Sequence, residues 1–284
     1  MLGAIIGDIA GSVYEFSNTK DYNFEMFPCG SNFTDDTVMT MAVAEWALMN
    51  DVNAPIDFQT KLLENVMVDM AKEIPCPMGG YGARFHTWLF HPENLIDYHN
   101  AKSSSGRCPY NSWGNGSAMR TSSIGWLYSD METTLRVAET AAAITHNHPE
   151  GIKGAQAVSA AIYMARNGLS KNDIKKYITT KFHYNLDLSW EYLHDTYEWD
   201  SSCQGTVPQA IIAFLVSDDF ESAIRRAISI GGDSDTLACI TGSIAEAYYK
   251  YIPNYMVNRA MSLLPLRFKH VLELMKRRLY SSIW

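Results

Sequence analysis

The chain has 284 residues, of which 31 are acidic and 23 are Lys or Arg, so its formal net charge is −8 at neutral pH. Lys and Arg are scattered along it, which argues against a protein that binds nucleic acid or an anionic membrane surface. The five cysteines are widely spaced and form no Cys-x-x-Cys pair, so we expect neither a disulfide framework nor a zinc site, and a reducing cytoplasm fits best.

The N-terminal stretch, residues 1–10, is apolar, but it lacks a basic segment and contains Asp8. These features do not fit a secretory signal peptide. Nowhere does the sequence contain an uninterrupted run of about 18 apolar residues, the length that would predict a membrane span. We therefore expect a soluble, unprocessed cytoplasmic protein.

A first acidic block, Thr34-Asp35-Asp36-Thr37, leads into residues 36–49, which are apolar on nearly every face. This pattern predicts a helix buried at the centre of the domain. The block itself fits an ordinary helix N-cap, because Thr caps a first turn and acids there complement the macrodipole. It also fits a set of oxygen ligands for a hard cation.

Apolar residues at spacings of three and four predict further helices along most of the chain. Ser170 with Asp173 resembles a capping box, and Pro208 stands where the first turn of a helix accepts proline. The other predicted helices are 56–72, 133–145, 150–167, 219–230, 235–250 and 265–280. Because strand-like alternation is scarce, we predict one all-α domain over residues 1–284, with roughly ten or more helices and two irregular regions, 74–118 and 183–206.

The first irregular region contains two glycine-rich segments, residues 78–85 and 112–120. Glycine permits close approach of the backbone, while Tyr81, Phe85 and Trp113 offer flat faces, a combination suited to a ligand with a phosphate and a base. A pair of tight turns would explain the same residues. The nearby pair His146 and His148 could bind metal, but at a helix end hydrogen bonding is the better interpretation.

A second acidic block, Gly231-Gly232-Asp233-Ser234-Asp235-Thr236, repeats the features of the first. Unit charges about 4 Å apart repel by about 4 kcal/mol at an effective dielectric of about 20, so clustered carboxylates need protonation, exposure or a bound cation. If the fold joins the blocks, one metal ion, or more readily two, would relieve this repulsion.

Two other classes fit the second block less well. A phosphohydrolase motif of the Asp-x-Asp-x-Thr type has one more residue before its threonine. A calcium-binding helix–loop–helix would have glycine and glutamate where Ala238 and Ile244 stand.

Taken together, these segments resemble the ADP-ribosylglycohydrolases, or ADP-ribosyl-acceptor hydrolases, a family that includes the dinitrogenase reductase-activating glycohydrolase. The resemblance follows the family's order over about residues 3–250. One departure follows Met119-Arg120, where many relatives have a proline before the next glycine. The matching segments are 3–11 with Glu15, 34–37, Tyr81-Gly82, 114–120, Thr145-His146 and 231–236.

The resemblance implies an all-α fold with a binuclear magnesium centre, sometimes manganese, in a cleft that binds ADP-ribose. Glu15 would be a metal ligand or a gate that moves with substrate, and Asp35 or Glu15 would handle the catalytic proton. The implied metal-binding residues are Thr34, Asp35, Asp36, Asp233, Asp235 and Thr236. The implied substrate-binding residues are Tyr81, Gly82, Ser112, Trp113, Gly114, Asn115, Gly116, Ser117, Ala118 and His146.

The implied reaction is hydrolysis of the N- or O-glycosidic bond at C1″ of ADP-ribose, attached to a protein side chain or a small conjugate. Arginine is our first expectation for the acceptor and serine our second, although we find no code for this choice in loops 15–33 and 183–206. The alternative is a catalytically inactive relative that binds ADP-ribose or a nucleotide. Loss of metal ligands would be its signature, and none of the implied ligands is missing.

Overall fold

A computed structural model describes residues 1–95 and 105–281, and α-helices with one short 3-10 helix, Pro92–Asn94, account for the regular structure in these ranges. The only β pairings there are two isolated bridges, Thr34 with Met78 and Gly114 with Ser202. The first helices are α1 (Leu2–Gly11), α2 (Asp35–Met49), α3 (Ile56–Glu73), α4 (Ala83–Phe90), α5 (Gly116–Met119), α6 (Ser122–Leu127), α7 (Met131–Ala143) and α8 (Pro149–Arg166). They are followed by α9 (Lys171–Phe182), α10 (Trp190–Thr196), α11 (Cys203–Leu215), α12 (Phe220–Ser229), α13 (Ser234–Tyr249), α14 (Asn254–Leu263) and α15 (Leu266–Ser281).

The all-α class is confirmed, and seven predicted helices (α2, α3, α7, α8, α12, α13 and α15) agree with the observed ends to within two residues. The capping box of Ser170 and Asp173 is present at the start of α9. Helix α2 is buried along most of its length, as its apolar composition predicts. Within the described residues, no helix is both long enough and apolar enough to cross a membrane.

The prediction of two irregular regions is wrong in part, because 74–118 contains α4 and 183–206 contains α10. Both helices are short, so few turns were available to show a periodic pattern. Residues 96–104 of the first region and 282–284 of the predicted domain lie outside the described residues. Pro208 lies inside α11 rather than in its first turn, because the helix begins earlier, where Ser202 accepts a hydrogen bond from the Gly205 N–H.

Helix α1, which we did not predict, packs antiparallel against α13 along a stripe of three glycines. A Cβ atom added to Gly3 would lie 2.2 Å from the Gly242 carbonyl oxygen, and one added to Gly7 would lie 2.0 Å from that of Ala238. At the next turn, a Cβ on Gly11 would lie 2.5 Å from the Asp235 Cα. Only glycine permits this approach, and the contact sets the start of α13 beside the end of α1.

Asp8 of α1 holds the start of α2 from within the core. Its carboxylate, which is fully buried, accepts hydrogen bonds from the Thr34 N–H at 3.0 Å and the Thr34 hydroxyl at 2.7 Å. It also accepts from the N–H and hydroxyl of Thr37. The first turns of α2 and α13, which contain the two acidic blocks, are therefore both positioned by α1.

Candidate functional site

The two acidic blocks meet directly through a side-chain hydrogen bond. The hydroxyl of Thr236, at the start of α13, donates to Asp36 Oδ2 at 3.0 Å, and both residues are buried. The two residues are 200 positions apart in the sequence. The fold thus unites the segments that the sequence suggested as halves of one site.

Glu15 completes a compact group of carboxylates at this junction. One carboxylate oxygen each of Glu15, Asp233 and Asp235 lie within 4.8 Å of one another. Glu15 comes from the loop that follows α1, and its carboxylate lies against the glycine turn at Gly79. The group therefore combines the second acidic block with the loop from the N-terminal segment, and the first block reaches it through the hydrogen bond between Thr236 and Asp36.

Burial and mutual repulsion raise the pKa values of these acids. Burial is the main cause for Glu15, whose pKa rises to about 7, with a further contribution from the charge of Asp233. Burial and the charges of Asp8, Asp233 and Glu15 raise the pKa of Asp35 well above its usual range, and Asp36 is raised similarly by burial, Asp8 and Asp35. Burial also raises the pKa of Asp233 and of Asp235. The folded protein thus disfavours the charged forms of all five acids.

The donor set fits a hard divalent cation. Asp36 Oδ1 is buried and has no hydrogen-bond partner among the described residues, so a ligand-capable oxygen is left unsatisfied. No ion pair in ranges 1–95 and 105–281 involves any of the five carboxylates. Carboxylate and hydroxyl oxygens are the ligands that Mg²⁺ and Mn²⁺ prefer. Because no Lys, Arg or His pairs with these carboxylates in the described residues, a metal ion could neutralise them.

The late block turns through two glycines whose positive φ angles, 82° at Gly231 and 73° at Gly232, favour glycine. A Cβ on Gly232 would also lie 2.4 Å from the Tyr197 ring. The Asn18 side chain fastens this turn, because it accepts from the Gly232 N–H at 2.8 Å and donates to the Gly232 carbonyl at 2.8 Å. The loop that contains Glu15 is thereby tied to the block that contains Asp233.

A cavity of about 410 Å³ opens onto the carboxylates. Its volume is within the range of small-molecule sites. Of the implied metal-binding residues, Asp35, Asp36, Asp233, Asp235 and Thr236 line it. Of the implied substrate-binding residues, those that line it are Tyr81, Gly82, Ser112, Gly114, Asn115, Gly116 and His146.

Four of the implied residues do not line this cavity. The Thr34 hydroxyl donates to Asp8 and accepts from the Asp36 N–H, so it caps α2. Ser117 is buried and donates to the Gly151 carbonyl at 2.7 Å, and Ala118 is buried beside it. Trp113, which is half exposed, borders a neighbouring cavity of about 280 Å³ instead.

The loop of residues 112–116 is joined to the carboxylates by Asn115. Its side-chain amide donates to Asp233 Oδ2 at 2.7 Å and to the Thr206 hydroxyl at 3.0 Å. Its backbone N–H donates to the Ser201 carbonyl at 2.8 Å. The glycine loop, the second acidic block and the start of α11 therefore form one connected wall.

Sequence reasoning missed several residues of the site. Asp8 stands within an apolar stretch and in the matching segment 3–11, but the sequence suggested no role for it; an acid among apolar residues was the signal that it is buried and hydrogen-bonded. Phe16 follows Glu15 directly and stacks on Trp199, with ring centroids 5.8 Å apart and planes 14° from parallel. Arg84, Tyr110 and Arg120 also line the cavity. Arg84 and Arg120 end the two glycine-rich segments but were given no role of their own, and Tyr110 lies outside both segments.

Comparison with known proteins gives a consistent result. The family model described as ADP-ribosylglycohydrolase matches residues 1–283. The chain is 27% identical to the ADP-ribosylhydrolase ARH3 of Mus musculus, over 88% of this chain and 82% of that protein. It is 23% identical to the ADP-ribosylarginine hydrolase Tri1 of Pseudomonas putida, over 88% of this chain and 69% of that protein. A solved structure, titled ADP-ribosylglycohydrolase-related protein complex, shares the fold with a TM-score of 0.71 at 21% identity, covering 98% of this chain and 97% of its own.

Proposed function

The chain belongs to the ADP-ribosylglycohydrolase family, and we propose that it is a metal-dependent hydrolase that removes ADP-ribose from a modified side chain or a small conjugate. The bond cleaved is the N- or O-glycosidic bond at C1″. The observation that most supports this proposal is the junction of the two acidic blocks, where Thr236 donates to Asp36 at the wall of the cavity. We also propose a cytoplasmic location, which the five free cysteines suit.

Two Mg²⁺ ions, with Mn²⁺ as an alternative, would be held by Asp35, Asp36, Asp233, Asp235 and Thr236, with Glu15 beside them. When bound, they would supply Lewis-acid polarisation and lower the pKa of bound water. The unpaired Asp36 Oδ1 supports this assignment most directly. Thr34 supports the site through α2, because its hydroxyl is engaged with Asp8.

Carboxylates of the protein would transfer the proton from the attacking water to the leaving group. Glu15 lines the cavity and has a carboxylate oxygen within 4.8 Å of those of Asp233 and Asp235, so it lies where it can accept a proton from the attacking water. Asp35 lines the same cavity and is the second candidate for this role. Glu15 or Asp35 would take a proton from the attacking water and return it to the leaving group.

The glycine loop would hold the diphosphate and ribose. Gly114 and Gly116 line the cavity without side chains, so a phosphate group can approach the backbone closely there. The Gly114 N–H donates to Ser112 Oγ at 3.1 Å, which fixes the shape of the loop. Asn115, anchored on Asp233 and Thr206, would keep this loop at a fixed position relative to the metal-binding residues. Tyr81 and Gly82 would close the opposite wall.

An arginine acceptor is supported by the rim of the cavity. Phe16 and Trp199 are 75% and 45% exposed, and the stacked pair lines the cavity together with the carboxylates. Planar guanidinium groups stack on aromatic faces and are attracted to carboxylates, whereas a serine side chain gains neither contact. We therefore propose arginine-linked ADP-ribose as the first substrate and serine-linked ADP-ribose as the second.

Release of ADP-ribose from defined arginine- and serine-linked substrates, with Mg²⁺ and with EDTA, tests the proposal. We expect metal-dependent release that is lost in Asp35→Asn and Asp235→Asn, with Asp36→Ala as a further inactive variant. Full activity in both Asn variants would refute it. Tight binding of ADP-ribose without release of product from any substrate would instead identify an inactive binding relative.

A further inference from the structure

Arg120 is a buried cation in the wall of the cavity. It is 1% exposed, and in the described part of the chain no carboxylate forms an ion pair with it. Its Nη2 donates to the Ala141 carbonyl at 2.7 Å and to the Thr145 hydroxyl at 2.8 Å. The negative end of the α7 dipole therefore stabilises the charge from one side, and the cavity lies on another.

The Thr145 hydroxyl links Arg120 to His146. Its oxygen lies 2.7 Å from His146 Nδ1. Because a guanidinium is a donor only, the Thr145 oxygen accepts from Arg120 and still has its own hydrogen to donate. His146 Nδ1 is the one other side-chain or backbone atom bonded to that hydroxyl among the described residues. The hydroxyl oxygen could accept from both neighbours, but its own hydrogen would then have no acceptor among the described residues. The arrangement that uses this hydrogen makes Nδ1 the acceptor and leaves the proton of the neutral ring on Nε2.

The protonated edge of the ring lies beside the glycine loop. A Cβ atom added to Gly116 would be 3.3 Å from His146 Nε2, and one added to Gly114 would be 3.6 Å from it. Burial, with a smaller contribution from the Arg120 charge, holds the pKa of His146 well below its usual range. The ring therefore stays neutral at physiological pH and presents one N–H to this part of the cavity.

We propose that Arg120 and Thr145 are positioning residues that fix His146 as an Nε2–H donor for a phosphate oxygen of a bound nucleoside diphosphate. The acidic cluster favours cations in one part of the cavity. The Arg120 guanidinium and the His146 N–H favour an anionic oxygen beside Gly114 and Gly116. Only the identity of the ligand, ADP-ribose, rests on the proposed function.

Nitrogen NMR of protein labelled with ¹⁵N-histidine tests the hydrogen-bond arrangement without any ligand. The His146 signals, identified by their loss in His146→Gln, should show a proton on Nε2 and none on Nδ1. They should not titrate between about pH 8 and pH 5. A proton on Nδ1, which would mean that Thr145 accepts from both neighbours, would overturn the proposal.

Removal of the linking hydroxyl should alter this signature. In Thr145→Val, Nδ1 loses its donor, so the two neutral forms should mix, while Thr145→Ser should restore the Nε2–H form. The matched control is Thr140→Val, which removes another hydroxyl close to the end of α7. Within the described residues, that hydroxyl donates to the Arg136 carbonyl and to no other group. An unchanged His146 signature in Thr145→Val would contradict the role of Thr145.

Titration calorimetry with ADP-ribose then tests the donor's position. A Gln amide can reach the place of Nε2, whereas an Asn amide overlaps that of Nδ1. We expect His146→Asn to weaken binding by about 10-fold and His146→Gln to weaken it less. Equal losses would contradict the proposal. If wild-type protein does not bind ADP-ribose, the proposed function fails, and the NMR result still decides the His146 arrangement.

Discussion

The two oxygens of Asp36 show how the site uses single atoms. Oδ2 accepts from the Thr236 hydroxyl, and Oδ1 is buried without a partner in the described residues. A buried acceptor left unpaired costs about 1–3 kcal/mol. In the metal-free protein, the residues that would bind the cations therefore lower the free energy of unfolding. Such a loss of stability in exchange for function is common at functional sites.

Asp235→Asn should make the metal-free protein more stable and abolish its response to Mg²⁺. The substitution replaces a carboxyl whose ionisation is opposed by burial and by the charges of Asp233 and Asp36 with a neutral amide. The metal-free variant should therefore be more stable than wild type at neutral pH by about 1 kcal/mol or more. Its stabilisation by Mg²⁺ should be lost. Urea unfolding with and without Mg²⁺ measures both effects. Asp130→Asn, at the exposed N-cap of α7, is the matched control and should change neither. A less stable variant that kept its Mg²⁺ response would contradict this account.

Asp8→Asn should have the opposite effect on stability. The Asp8 carboxylate accepts hydrogen bonds from four donors, the N–H and hydroxyl groups of Thr34 and Thr37. An Asn side chain has an NH₂ group in place of one carboxylate oxygen, and this group would face some of these donors and could not accept from them. We expect a loss of about 1–3 kcal/mol in the free energy of unfolding. The same urea titration measures it, against Asp130→Asn. A change below about 0.5 kcal/mol would show that Asp8 does not hold α2 as described.

At the scale of elements, the contact between α1 and α13 sets the geometry of the site. Gly7→Ala would place a methyl group 2.0 Å from the Ala238 carbonyl oxygen, so the helices must separate. We expect destabilisation by about 1–3 kcal/mol and weaker Mg²⁺ binding, since Asp235 begins the same helix. Thermal unfolding and calorimetry measure these changes. Gly82→Ala, where a Cβ meets nothing within 4 Å, is the control for stability. Unchanged stability in Gly7→Ala would contradict the close packing.

The loops that bear Phe16 and Trp199 are joined at several points. Lys20 Nζ donates to the His194 carbonyl at 2.5 Å, and His194 Nε2 lies 2.7 Å from the Lys20 carbonyl oxygen. The two loops in which we found no code for the acceptor thus meet at one aromatic pair. The pair's contribution to specificity is a property of the assembled rim, which neither loop shows alone.

Trp199→Ala should lower the preference for arginine-linked over serine-linked substrate. Loss of stacking at an exposed site is worth about 0.5–1 kcal/mol, which corresponds to about a two- to fivefold fall in the ratio of kcat/KM values. Phe58→Ala removes another exposed aromatic ring, which lies on α3 and does not line the cavity, and it should leave the ratio unchanged. A ratio that rose or stayed constant in Trp199→Ala would argue against an arginine subsite at the rim.

At the scale of the whole molecule, the raised pKa values predict how stability depends on pH. Glu15 has a folded-state pKa of about 7 against 4.5 when unconstrained, and Asp8 about 6 against 3.8. Between these limits the folded state binds more protons than the unfolded state. The free energy of unfolding of the metal-free protein should therefore fall as the pH rises from about 4 to 7.

Mg²⁺ should reverse this trend, because binding requires ionised carboxylates and releases their protons. We expect the rise in Tm caused by Mg²⁺ to be larger at about pH 8 than at about pH 5.5. Calorimetric scans at both pH values, with Mg²⁺ or EDTA, measure this difference. An equal rise at both values would show that protons and Mg²⁺ do not compete for the same groups.

The sequence predicts features that depend on neighbouring residues, and it does not predict features that depend on residues far apart in the chain. The helix signals of α2 and the Ser170–Asp173 capping box depend on neighbours in the chain, and both predictions are confirmed. The role of Asp8 depends on donors more than twenty residues away. The place of Trp199 depends on Phe16, far away in the chain. Such contacts leave no local periodicity, so the rim and the anchor of α2 emerge only from the folded structure.

Anomalous diffraction from crystals grown with Mn²⁺ tests most directly whether the two acidic blocks form one metal centre. We expect two anomalous peaks in the cavity, held between Asp35 and Asp36 on one side and Asp233 and Asp235 on the other, with Asp36 Oδ1 as a ligand. Mn²⁺ bound elsewhere while the cavity shows no peak, or a peak held by one block without the other, would contradict the account.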